Sequence, residues 1–260
     1  MKLLRPLVTL LGILLVWQAA VWLTGVPHYM LPSPWAVAQA LVGKLDVLLP
    51  HAGITLTEIL LGFALGGGLG AATAVLVGYS ARARRWVLPM IVVSQAIPVF
   101  ALAPLLVLWL GFGMASKIAM ACLVIYFPVT VALFDGLRRT DPGWLDLGRT
   151  LLAGHAGPAT TRWLLLWHIR LTAALPALGS GLRVAAAVAP IGAVIGEWVG
   201  ASAGLGYLML HANGRMQVDL MFAALLTLAV ISVTLYFAVD ALLRRALPWQ
   251  SEKNPNEERD

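Results

Sequence analysis

Six stretches of this 260-residue chain are long and apolar enough to cross a bilayer, and they constrain its fold more than any other feature. A spanning helix needs about 20 mostly apolar residues to traverse about 30 Å of hydrocarbon. In lipid each backbone N–H and C=O must be paired within the protein, which leaves helices or closed barrels. The stretches run approximately from Leu7 to Thr24, Ile54 to Gly78, Trp86 to Leu110, Lys117 to Phe134, Leu175 to Val199 and Leu220 to Val239. The last holds eleven Leu, Ile, Phe or Val residues, each favouring insertion by about 0.3 to 0.6 kcal/mol. Only 12% of the chain is charged, about half of what soluble domains carry. The chain therefore reads as an all-α integral membrane protein of about six transmembrane helices. The first stretch, with Lys2 and Arg5 ahead of it, has the outline of a signal peptide, but no small-residue cleavage site follows and an uncleaved helix is expected.

Basic residues orient the spans. With the N-terminus in the cytoplasm, the inside receives Lys2, Arg5, Arg82, Arg84, Arg85, Arg138, Arg139, Arg149, Arg162, Arg170, Arg244, Arg245, Lys253 and Arg259, with Arg183 just inside the cytoplasmic end of the fifth span. The outside receives only Lys44, Lys117 and Arg215. That asymmetry follows the positive-inside rule and accounts for the net charge of +6 without nucleic acid as a partner. Cys122 is the sole cysteine, so no disulfide forms within the chain. His28, His51, His155, His168 and His211 are scattered on both sides without ligand spacing, and no metal site is expected. The polar tail at 250–260 has the composition of a disordered segment.

Between the fourth and fifth stretches lies "DLGRTLLAGHAGPATTRWLLLWHIRLTAALP", from Asp146 to Pro176. Its charges, Asp146, Arg149, Arg162 and Arg170, cost about 2.5 to 3.5 kcal/mol each near a bilayer centre, so it stays out of the hydrocarbon. It still reads as helical. Asp141 caps a first helix with Pro142 at its first position and Trp144, Leu147 and Leu151 on one face. A second short helix begins near Thr160 or Thr161 with Trp163, Leu166, Trp167 and Leu171 at helical spacing, and "AGHAGP" separates the two.

With these residues in place, the sequence resembles, over nearly its whole length, the permease subunits of binding-protein-dependent ABC importers. Their signature is a cytoplasmic E-A-A, three residues, G, nine residues, I-x-L-P. Here Asp146, Leu147 and Gly148 stand at its front and Ile169, Arg170, Leu171 and Thr172 at its end. Counting back from Ile169 puts the signature glycine at Ala159, with a roughly seven-residue insertion before it; Gly154 is the alternative, with the insertion after it. Only Ile169 and Leu171 match letter for letter. "SQAIPVFALAPLLVLWLGFG" and "GEWVGASAGLGYLMLHANGRMQ" resemble the sulfonate, nitrate and taurine branch, and in particular permeases assigned to pyrimidine precursors of thiamine.

The resemblance implies a type I importer fold with cytoplasmic coupling helices. Residues 1–53 supply a first helix and outer loop, 54–249 the permease core with a coupling loop at about 136–175, and 250–260 a tail. It further implies a separate ABC ATPase subunit, an extracytoplasmic solute-binding protein, a second permease subunit, most simply a homodimer, and residence in the bacterial inner membrane. Asp146, Leu147, Gly148, Ala159, Arg162, Ile169 and Leu171 would couple to the ATPase. The chain has no G-x-x-x-x-G-K-[ST], so it binds no nucleotide through that motif; no cofactor and no catalytic residue is expected, and ATP belongs to the partner. On physics alone the island could equally be an interfacial loop resting its tryptophans at the headgroups.

Rare polar groups and prolines at membrane depth suggest pathway positions: Gln95, Pro98, Tyr126, Pro190 and Glu197. For Gln95 an interhelical hydrogen bond is an equal alternative, for Tyr126 and Met114 simple packing, and for Glu197 a pairing with Arg215 or water. Glu58 is expected to be solvated. Gly62, Gly66 and Gly70, and Gly192, Gly196 and Gly200, repeat every four residues and favour close helix packing within the chain over a dimer contact. Ser180 in "GSG" reads as a small packing residue. No intramembrane acid relay is evident, which argues against a stand-alone secondary transporter or channel, and no acid, base and nucleophile share one depth, which argues against an enzyme.

Overall fold

The computed structural model describes residues 4–94, 96–154 and 157–249, and among these every regular element is helical. The elements are α1 (Leu4–Thr24), α2 (Pro34–Gly43), α3 (Leu45–Tyr79), α4 (Ala81–Ser94), α5 (Val99–Leu110), α6 (Met114–Arg138), α7 (Pro142–Leu152), α8 (Pro158–Leu165), a π-turn (Leu166–Arg170), α9 (Leu171–Gly200), α10 (Leu205–Gly214) and α11 (Val218–Ala246). Gln95, His155 and the 250–260 tail lie outside the described residues.

Among the described residues four helical rods are long and apolar enough to cross a membrane, α3, α6, the run Pro158–Gly200 and α11, while the first expected crossing provides only the shorter apolar run Leu11–Thr24. The third expected crossing is instead broken into α4 and α5, which meet at 101°. Pro98 stands at the break as the cap of α5, where it lacks an N–H and disfavours helix in the residue before it. The fifth crossing is longer than expected. No glycine or proline lies between Arg162 and Pro176, so α8 continues through the π-turn into α9 rather than ending as a separate short helix. The second crossing also starts early, at Leu45, and carries Pro50 within it.

The core is a three-helix sandwich with α6 in the middle. Gly62, Gly66 and Gly70 of α3 face α6, where an added Cβ at Gly66 would lie 2.7 Å from the Cys122 carbonyl and one at Gly70 2.8 Å from that of Tyr126. On the other side, a Cβ at Gly192 would lie 2.7 Å from the Ala121 Cα and one at Gly196 3.0 Å from the Lys117 Cα, while Gly200 abuts Val107 of α5. Both ladders thus let backbones approach within the chain, as small residues do in lipid. Ala121, Ile125 and Val129 of α6 are fully buried between them. A second cluster, with Ala74, Val77, Leu133, Leu137 and Leu166, closes the end of the sandwich nearest α8. Helix α11 packs on α9 and is pinned there by Asp240, which accepts from Arg183 Nε at 2.6 Å and Arg244 Nε at 2.8 Å. Ser180 is exposed on α9, donates back to the Pro176 carbonyl at 3.2 Å and borders the groove between α5, α6 and α9.

Candidate functional site

The helical island forms a small platform at the basic end of the sandwich. Asp141 accepts from the Gly143 N–H at 2.6 Å and Pro142 opens α7, satisfying an orphan donor of the first turn. Trp144, Leu147 and Leu151 form one face of α7 and remain 58%, 59% and 69% exposed. With His168, Ile169 and Trp249 they border a hollow of about 490 Å³. Gly148, the only buried residue of α7, seats it: a Cβ there would lie 2.5 Å from Leu165 Cδ2 and 2.6 Å from Ile169 Cδ1. Asp146 and Arg149 pair at 2.6 Å but are exposed, and such pairs stabilise little.

Two arginines tie this platform to the core. Arg162 Nη2 donates to the Tyr79 carbonyl at 2.7 Å, with its guanidinium 5.3 Å from the Tyr79 ring centre. Arg170, in the π-turn, donates from Nε and Nη2 to the Leu137 carbonyl at 3.2 and 2.9 Å, and from Nη1 to the Gly78 carbonyl at 3.1 Å. Gly78 and Tyr79 end α3 and Leu137 is next to last in α6, so these are carbonyls without helical partners, at the negative poles of both helices. The tryptophans join in: Trp163 meets Tyr79 edge-on at 5.9 Å and Trp167 at 5.4 Å. Helix α8 and the π-turn are therefore tied directly to the ends of α3 and α6.

Of the expected coupling residues, the structure brings Gly148 and Ile169 together, places Leu171 against the end cluster and puts Arg162 on Tyr79. Asp146 and Leu147 face outward, and Ala159 is exposed in the first turn of α8. Gly154 has φ +78° at the close of α7, a conformation that favours glycine. Gly148→Leu is accordingly expected to lift α7 from its seat and lower coupled uptake about tenfold or more, since overpacking of this kind costs about 1–3 kcal/mol. Ala159→Leu meets open solvent and should leave uptake within about twofold. Uptake by vesicles carrying the assembled complex checks both, and equal losses at the two positions would contradict this seating.

At the opposite end the structure corrects several expectations. Glu58 is fully buried rather than solvated, and Lys117 Nζ donates to its Oε1 at 2.8 Å. Glu197 is buried too and does not pair with Arg215, which is exposed. It accepts from Thr55 Oγ1 at 2.5 Å and from the Gly206 N–H, and it lies beside Glu58. A buried cluster of two acids and one lysine thus lies at this end of the sandwich. The sequence carried a signal for it: Glu58 early in the second stretch, Lys117 at the start of the fourth and Glu197 near the end of the fifth all fall at one end under the stated orientation.

The pathway candidates do not converge. Pro190 is buried in α9, Tyr126 is half-buried in α6, and Pro98 is exposed at the start of α5. A groove of about 640 Å³ between α5, α6 and α9, bordered by Val99, Phe127, Val131, Val184 and Ile191, takes none of them.

Residues 59–248 match the family described as binding-protein-dependent transport system inner membrane component. The chain is 55% identical over 244 residues to a probable ABC transporter permease protein of Haemophilus influenzae, covering 94% of this chain and 97% of that one. It is 34% identical to the formylaminopyrimidine transport permease protein ThiX of Halalkalibacterium halodurans, covering 96% and 97%. It is 38% identical to the riboflavin transport system permease protein RibX of Chloroflexus aurantiacus, covering 94% and 89%. Its fold matches a chain of the MetNI methionine ABC transporter in an inward-facing conformation, with a TM-score of 0.65 at 19% identity over 78% of this chain and 97% of that chain.

Proposed function

Because the chain belongs to the family of binding-protein-dependent transport system inner membrane components and is a permease subunit of ABC importer type, we propose that it works as one half of a translocation pathway driven by a separate ATPase docked on the α7–α8 platform. The observation that carries this reading is the bridge from platform to core: Arg162 and Arg170 hold the terminal carbonyls of α3 and α6. An ATPase that moves α8 thereby moves both helices. The exposed Trp144, Leu147 and Leu151 supply an apolar docking face, as expected of an interface core. The basic end faces the cytoplasm, following the excess of Lys and Arg there. A second copy of the chain closes the pathway over the groove between α5, α6 and α9, which Val99 of α5 borders.

The solute is a flat, nitrogen-rich heteroaromatic compound handed over by a binding protein, with a pyrimidine precursor of thiamine the first choice. Support comes from the relative named for formylaminopyrimidine, which is aligned along 96% of the chain. A flavin is the second reading, favoured by the 38% identity to the riboflavin permease. Reconstitution of the chain with its ATPase and binding protein tests the assignment. ATP hydrolysis should rise when the binding protein is loaded, and a ligand screen of that protein over pyrimidines, riboflavin, aliphatic sulfonates, taurine and nitrate should select a pyrimidine. Uptake by vesicles containing this chain alone would replace the reading with that of a stand-alone transporter.

A further inference from the structure

Helix α10 has no cap of its own. Its cap position is Gly204, at φ +120° and without a side chain, yet all four amides at this helix start are satisfied by other helices. Gly204 N–H donates to His51 Nδ1 at 2.9 Å and Leu205 N–H to Thr55 Oγ1 at 2.8 Å, both on α3. Gly206 N–H and Tyr207 N–H donate to Glu197 Oε2 on α9, the latter at 3.4 Å. Thr55 in turn donates to Glu197 Oε1, and Lys117 of α6 reaches the Ala203 carbonyl at 3.4 Å while holding Glu58. The His51 and Tyr207 rings stack at 6.0 Å. Helices α3 and α9 thus cap one short helix from outside it, and Lys117 of α6 holds the loop that leads into it.

We propose that this cluster is a latch: Glu197, Thr55, His51 and Lys117 are positioning residues that hold α10 down over the extracytoplasmic end of the core, and their joint release opens the pathway there during transport. The proposal rests on the importer reading for its direction and timing. Its physical basis is that the contacts cannot be given up singly. Glu197 and Glu58 are buried side by side, and Glu58 Oε2 has no hydrogen-bond partner among the described residues. Lifting α10 removes the amides that Glu197 accepts from, so the carboxylate must gain water at the same moment or remain stranded. Such a contact set has two states, fastened and hydrated, with little between.

The chain's sole cysteine makes the test direct. In a Cys122→Ser background, Leu208→Cys places a thiol at a buried position of α10. The assembled transporter in proteoliposomes is exposed from outside to a membrane-impermeant maleimide. The resting protein should label slowly, and turnover with ATP and loaded binding protein should raise the rate at least tenfold. Thr55→Val and Glu197→Gln should each bring the resting rate to the turnover level and reduce the stimulation of ATPase by the binding protein, whereas Thr55→Ser, which keeps the hydroxyl, should restore both. Labelling that is equal at rest and in turnover, or resting labelling unmoved by Thr55→Val and Glu197→Gln, overturns the latch. Should the wild-type complex fail to respond to loaded binding protein, the importer reading falls, while the resting rates of the variants still decide whether these side chains hold α10.

Discussion

Lys117→Met is expected to destabilise the protein by about 3–5 kcal/mol, the cost of removing one partner from a buried ion pair, and Glu58→Gln in the same chain should recover much of that loss. The asymmetry follows from the charges. The cluster contains two carboxylates, Glu58 and Glu197, and one ammonium, Lys117, whose side chain is 6% exposed against 0% for Glu58. Glu197 is offset by the amides and positive pole of α10 and by the Thr55 hydroxyl. Glu58 accepts from Lys117 through Oε1, and its Oε2 has no partner among the described residues. Methionine at 117 keeps most of the side-chain volume, and the close approach of Gly196 is to the Lys117 backbone and first methylenes, so helix packing survives the change. What it leaves behind is a buried carboxyl group without its ammonium partner, next to another. Glu58→Gln removes that acid and alone should cost less than Lys117→Met, because the amide oxygen can still accept from Lys117. Thermal unfolding of the four proteins in one detergent gives the cycle. A coupling of about 2 kcal/mol or more in the rescuing direction is expected, and additive losses would mean that Lys117 does not balance Glu58.

The same residues show what can be read from a chain like this and what cannot. Apolar runs placed α3, α6, α9 and α11 because each must pair its own backbone in lipid, and the caps at Asp141 and Pro142 were legible because they act within four residues. The break at Pro98 and the unbroken passage from α8 to α9 were harder. Three prolines in the third stretch gave no indication of which would bend it, and the island's polar residues made Pro158–Gly200 look like two objects. Glu58 and Lys117 are 59 residues apart, and Thr55 and Glu197 are 142 apart, so no local spacing announces either contact. A carboxylate near the end of an apolar run is ordinarily solvated. Here α10 folds back over that end and buries it, and only the tertiary path of 201–214 reveals this. The roles of the platform arginines were partly visible. Arg162 stood among the coupling candidates, but Arg170 occupies a variable position of the family signature, and its carbonyl partners lie 33 and 92 residues away.

Arg170→Lys should therefore uncouple transport while preserving charge. The Arg170 guanidinium spans two helix ends at once, making two bonds to Leu137 and one to Gly78. A lysine carries the same charge on a single nitrogen without the planar fork, so it can serve one carbonyl well but not hold both helices in register. Each charge-assisted hydrogen bond contributes about 1.5–3 kcal/mol. Losing even one bond lowers the population of the rigid platform about tenfold or more, at about 1.4 kcal/mol per factor of ten. The chain should still insert and fold, because the end cluster around Ala74, Leu133 and Leu166 remains packed. In the reconstituted complex, ATP hydrolysis is expected to persist at its unstimulated rate, while solute moved per ATP falls about tenfold or more. Arg170→Met should do the same and also loosen the ends of α3 and α6, visible as faster amide exchange at 76–79 and 135–138. Normal solute yield per ATP with lysine at this position would show that the force travels from the platform to the core by another route, of which the Arg162 contact to Tyr79 is the first to examine.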